Sequence, residues 1–148
     1  LDEPFSCGAD TPPLGPVDTG FQLSTDAMAE ITDWFALAWR VLDDVIATVP
    51  DRFEVATIQL WPEHFDAATT VKLSATDGVN LGFSPGDAFE DGPYLYVGPW
   101  GTARPGDPSF WNVAFGAMRR ASEVRDSVDP AESCREFLTT GLHLITSM

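Results

Sequence analysis

The sequence predicts an α+β domain: an antiparallel sheet of four to five strands in a meander, two main helices packed on one face, and an extended proline-rich N-terminal arm. Three observations carry this expectation. Apolar residues recur at three- and four-residue steps over 25–49, they alternate with period two over 52–98, and a capped amphipathic stretch follows Asp129. Two helical stripes and one alternating sheet bury their apolar surfaces together as a two-layer sandwich.

Residues 1–23 hold Pro4, Pro12, Pro13 and Pro16 among Gly8, Gly15, Asp18 and Gly20, the composition of an extended arm. Phe5, Leu14 and Phe21 are expected to dock it on the body, and residues 24–148 make one domain. Along the first helix the buried stripe reads Met28, Ile31, Phe35, Ala38, Leu42, Val45 and Val49, widened by Trp34 and Trp39. Ser24, Thr25 or Asp26 caps its start, and Pro50 ends it.

From Arg52 a strand runs to Trp61-Pro62, and a second covers Asp66 to Ser74. Thr76-Asp77-Gly78 is a hairpin turn signal before the alternation of Val79, Leu81 and Phe83. Pro85-Gly86-Asp87 breaks the chain, Tyr94 to Val97 forms a fourth strand, and Gly98 to Ser109 is a loop. Phe110 to Phe115 is the candidate fifth strand, and 117–127 reads as weakly helical. Asp129-Pro130-Ala131-Glu132 then opens the last helix with a cap, a first-turn proline and the glutamate of a capping box. Ala131, Cys134, Phe137, Leu138, Leu142 and Ile145 supply its stripe.

Composition narrows the partners. With 23 Asp plus Glu against 8 Lys plus Arg, the net charge of −15 argues against nucleic acid and against an anionic membrane surface. Such acidity serves solubility, or it attracts cations and basic partners. Cys7 and Cys134 are too few for a four-thiolate zinc site; they either bridge the arm to the last helix or remain separate thiols. No apolar run reaches the ~20 residues that span a bilayer, and no signal peptide is visible, so a cytoplasmic protein is expected. The chain begins at Leu1, which suggests a piece of something longer.

The densest polar cluster among the strands is Trp61-Pro62-Glu63-His64-Phe65-Asp66. His64 and Asp66 are two apart, so an extended chain turns both to one side, where a carboxylate orients an imidazole. Asp87, Asn80, Ser84, Tyr94 and Tyr96 are placed at the same end of the sheet, with Trp61, Trp100 and Trp111 as aromatic walls. The candidate ligand-binding residues are thus Trp61, Glu63, His64, Asp66, Asp87, Tyr94 and Trp100. The competing reading makes His64 and Asp66 partners of backbone groups at a strand corner. One histidine among scattered carboxylates is a weak metal signal, and no cofactor motif is present.

Leu60-Trp61-Pro62-Glu63-His64-Phe65-Asp66, Ser84-Pro85-Gly86-Asp87, Pro93-Tyr94-Leu95-Tyr96-Val97-Gly98-Pro99-Trp100 and Phe110-Trp111-Asn112 resemble the C-terminal part of a family of uncharacterised actinobacterial proteins. Asp10-Thr11-Pro12-Pro13-Leu14-Gly15 and Trp34-Phe35-Ala36-Leu37 extend the likeness over nearly the whole chain. The resemblance implies a further region before Leu1 as a partner, and no activity, cofactor or catalytic residue. Three classes stay open: a non-catalytic small-molecule-binding or accessory domain, an enzyme using His64, Asp66 and Asp87 with or without a metal, and a self-associating structural domain.

Overall fold

The computed structural model describes residues 22–147 together with Pro16, Asp18 and Gly20. The expected docking residues of the arm, Phe5, Leu14 and Phe21, lie outside the described residues, as does Cys7.

Helix α1 spans Thr25–Ile46, with Ser24 as its N-cap: the Ser24 hydroxyl accepts from the Ala27 amide at 3.3 Å. Its buried residues are Trp34, Ala38, Val41, Leu42 and Val45, so burial starts later than the sequence period suggests. Met28, expected in the core, is exposed, because the first turns precede the part of the helix that meets the sheet. Trp34 is the core tryptophan, edge-on to Phe83 at 5.1 Å, and Trp39 faces outward.

Among the described residues the sheet has six strands, all paired antiparallel. They are β1 (Glu54–Val55), β2 (Gln59–Trp61), β3 (Asp66–Lys72), β4 (Gly78–Ser84), β5 (Tyr94–Pro99) and β6 (Ala117–Arg120). The single first strand expected over 52–61 is split. Val55 pairs with Val71 and Gln59 with Ala68, so this edge advances one residue more than β3 does, and the ladder breaks as at a bulge. The Thr69 hydroxyl bridges the break by donating to the Ala56 carbonyl at 2.7 Å.

The expected fifth strand at Phe110 to Phe115 does not form. Asn112 turns its side chain into a strand mimic, accepting from the Met118 amide and donating to the Met118 carbonyl, both at 2.9 Å. The fifth position in the sheet goes instead to β6, within the segment expected to be helical; only α2 (Ala121–Arg125) follows that expectation. Helix α3 (Pro130–Thr146) starts where Asp129 accepts from the Glu132 amide at 3.1 Å. The Glu132 carboxylate pairs with Arg135, so only the aspartate half of the capping box is made.

Period-two alternation divides the sheet into two faces. Ala67, Val71, Val79, Leu81, Phe83, Leu95, Val97 and Ala117 join the buried residues of α1, α2 and α3 in one apolar core. The other face carries a separate small cluster, Tyr94, Tyr96 and Met118, which contains no helical residue. Among the described residues no helix is long and apolar enough to cross a membrane.

Candidate functional site

Among the described residues no helix lies on this second, uncovered face, where polar side chains sit inside the sheet. Asp66 on β3, Asn80 and Ser84 on β4, and Tyr94 and Tyr96 on β5 all belong to the alternation opposite the core. Register sets them in rows, with Ala68, Gly82 and Tyr96 side by side and Ser84 beside Tyr94. Gly82 makes the long-range contact possible. A Cβ placed there would lie 2.5 Å from the Tyr96 phenol oxygen, so the Tyr96 ring crosses β4 only because that position has no side chain. Beyond Gly82 the Tyr96 hydroxyl donates to Asp66 Oδ2 at 2.9 Å.

Asp66 is only 4% exposed, and its Oδ1 has no hydrogen-bond partner. Burial pushes its carboxyl above the usual range; the Tyr96 hydrogen bond, the neighbouring Ser84 hydroxyl and the nearby His64 act against that shift, and Asp87 adds to it. Both tyrosines are pushed up, first by burial and then by the carboxylates they bond, so each phenol stays a proton donor.

A second tyrosine–aspartate pair stands beside the first. Tyr94 donates to Asp87 Oδ2 at 2.8 Å, while Asp87 Oδ1 accepts the amides of Phe89 at 2.8 Å and Glu90 at 3.1 Å. Gly86, at φ 107°, lets the chain leave β4 sharply enough to bring Asp87 back over the sheet. The same carboxylate therefore ties β5 to the loop that carries Phe89.

These groups line a concavity of about 400 Å³. Its polar members are His64, Asp66, Asn80 and Asp87, and its aromatic ones Trp61, Phe89, Tyr94, Tyr96 and Phe115. Four of the rings form a closed circuit: Phe89–Tyr94 at 6.4 Å, Tyr94–Tyr96 at 6.1 Å, Tyr96–Phe115 at 6.2 Å and Phe115–Phe89 at 5.3 Å between centroids.

Of the residues chosen from the sequence, the structure brings Trp61, His64, Asp66, Asp87 and Tyr94 to this concavity. It leaves out Glu63, exposed in the turn of residues 62–65 beside a separate shallow recess. Trp100 is also outside: its indole donates to Asn80 Oδ1 at 3.0 Å and lies over Gly78. Trp111 packs with the helix-side core and donates to the Pro105 carbonyl at 2.8 Å. His64 and Asp66 do not share a strand face, since His64 is in the turn and Phe65 takes a left-handed φ of 59° between them. Their proximity comes from the turn, and the two-residue strand spacing was the wrong reason for it.

Phe89 and Phe115 escaped the sequence reading because both sit in loops without periodicity. Gly82 had a signal, a lone glycine inside an alternating strand, which marks a close approach. Among the described residues no three His, Cys, Asp or Glu side chains gather to hold a metal. Cys134 is buried in α3 with its thiol pushed up to about 12 by burial, an unreactive setting. No protein-family model, curated protein or solved structure matches the chain.

Proposed function

We propose that this chain is a non-catalytic small-molecule-binding domain whose site is the concavity on the uncovered face of the sheet. One observation carries the reading: Asp66 is a buried carboxyl that lines the concavity with one oxygen unpartnered. Buried polar atoms are nearly always satisfied, so a folded domain that leaves this one open holds a place for a donor from outside. The aromatic walls supply the apolar area that a small ligand needs.

The enzyme reading has less support, because each aspartate is bonded to a phenol and His64 belongs to a turn. A cytoplasmic setting agrees with a buried Cys134 thiol. The resemblance to the C-terminal part of a longer actinobacterial family fits an accessory role beside a preceding region.

A broad library of charged and neutral small molecules, read by thermal shift and by tryptophan fluorescence, tests this reading. A true ligand at 100 times its Kd adds about 2.7 kcal/mol to folding stability. The protection is expected to vanish in Trp61→Ala. A library without a hit, or hits that persist undiminished in Trp61→Ala, would overturn the site.

A further inference from the structure

We propose that the concavity is an amine site, taking a protonated primary amine on a small apolar body, with its ammonium bonded to the Asp66 carboxylate. The inference rests on the binding reading above and specifies the ligand class.

Hydrogen-bond bookkeeping comes first. The Asp66 oxygens need donors, yet the tyrosine hydroxyls are committed, Tyr96 to Asp66 Oδ2 and Tyr94 to Asp87 Oδ2. The Ser84 hydroxyl lies close enough to ease the Asp66 charge but makes no hydrogen bond to Oδ1, so a partner of that oxygen must bring its own proton. A ligand carboxylate or phosphate cannot, and it would meet Asp66 and Asp87 as like charges.

Charge narrows the class further. The nearby Arg120 is engaged by Glu90 at 2.7 Å, so that guanidinium does not neutralise Asp66. The groups that face Asp66 are Tyr96 and Tyr94 from β5, Ser84 at the end of β4, Asp87 from the loop after β4, and His64 from the turn before β3. Two carboxylates against one imidazole leave the concavity in need of positive charge, and a chain of net charge −15 concentrates cations around it. The ring faces of Trp61, Tyr94, Tyr96, Phe89 and Phe115 attract a cation and its apolar body alike. Burial raises the Asp66 carboxyl, and an ammonium against it reverses that cost.

The shared chemistry, a primary ammonium, has two sources: a free small amine or a lysine side chain. A matched series separates the possibilities. The full chain is titrated at neutral pH with benzylammonium, benzyl alcohol, benzoate and benzyltrimethylammonium, following the backbone amides of β4 and β5 by two-dimensional NMR. Benzylammonium is expected to bind at least tenfold more tightly than benzyl alcohol, and benzoate not at all. Asp66→Asn should erase the preference, whereas Trp61→Ala should weaken both ligands and keep their ratio. Butylammonium tighter than Nα-acetyl-lysine methylamide assigns a free amine, and the reverse order assigns a lysine; either supports the amine site.

Equal binding of amine and alcohol, or a preference that survives Asp66→Asn, overturns the amine inference and leaves the binding domain standing. Equal affinity for benzyltrimethylammonium, which has no N–H, overturns the hydrogen bond to Asp66. Silence from benzylammonium alongside library hits of another charge class overturns the amine inference alone. Silence from both overturns both readings.

Discussion

Leu81 and Gly82 are neighbours on β4, yet they serve opposite faces of one sheet. Leu81 points into the helix-covered core and is fully buried; Gly82 supports the ring of Tyr96 on the face without a helix. The sheet side chains on the covered face are aliphatic apart from Phe83 and Thr69, and among the described residues no buried side-chain polar atom there lacks a partner. The uncovered face buries Asp66 and Ser84, joins aspartates to tyrosines across strands, and ends with an unsatisfied oxygen. One face is packed for stability, while the other keeps an incompletely satisfied carboxyl among the residues that line a concavity. That division is what a binding site on a stable scaffold requires.

The largest effect belongs to the covered face. Leu81→Ala should cost about 2–5 kcal/mol in urea unfolding, the range for deleting a buried leucine whose cavity cannot fully collapse. Its folded fraction should bind ligand with unchanged affinity. A lost affinity without lost stability would mean that the two faces are not separate. Next comes Gly82→Ala. The new Cβ meets Tyr96 at its phenol end, so the ring swings away and gives up its bond to Asp66. The loss should be about 1–3 kcal/mol, that of leaving a buried polar group unsatisfied. A retained Tyr96 hydroxyl bond, read from a slowly exchanging hydroxyl proton in NMR, would contradict this account of the glycine.

The covered face was largely legible in the sequence, because burial there obeys one periodic rule. Val79, Leu81 and Phe83 stand where alternation put them, and Cys134, Phe137, Leu138, Leu142 and Ile145 where the helical period did. The departures from periodicity come where a side chain replaces the backbone: Asn112 satisfies Met118 and stands in for the strand expected at Phe110 to Phe115. The site was legible only in part. Asp66 and Tyr94 lie on strands and could be placed by alternation, and Asp87 follows a turn signal. Phe89 and Phe115 reach the concavity through loops, where a residue's position depends on contacts distant in sequence. Asp66 and Tyr96 are 30 residues apart, and no local pattern encodes a bond across an intervening strand.

Tyr96→Phe sharpens the same comparison with a smaller change. It keeps the ring and its place in the aromatic circuit but removes the donor to Asp66. Stability at neutral pH should fall by about 1–2 kcal/mol, and the Asp66 carboxyl should titrate still higher, since the Tyr96 hydrogen bond is what holds it down most. Carboxyl carbon chemical shifts followed through a pH titration measure that displacement; a carboxyl that moved down would show that Tyr96 is not stabilising the charged form.

Asp66→Asn should have the smallest effect on stability, and with the opposite sign. Its folded-state value lies above the ordinary 3.8 because burial outweighs the Tyr96 bond, so the folded protein holds this proton more tightly than the unfolded chain does. The favourable contribution of a raised carboxyl is complete below 3.8 and is lost as pH rises through the folded value. Above the folded value wild type carries a buried charge that the Tyr96 bond only partly offsets, and the neutral amide removes it. The variant should be the more stable by about 0.5–2 kcal/mol at pH 7, the usual gain when a functional group is relieved of its cost. That lead should shrink as pH falls toward 4 through the Asp66 titration, because wild type then protonates the same site. The other carboxylates are common to both proteins, so the difference between the two melting curves reports chiefly on Asp66. A lead that grew on acidification would mean that Tyr96 stabilises the Asp66 carboxylate by more than burial penalises it. In that case the open Oδ1 would be a tolerated gap in a structural pair rather than the place where a ligand completes the fold.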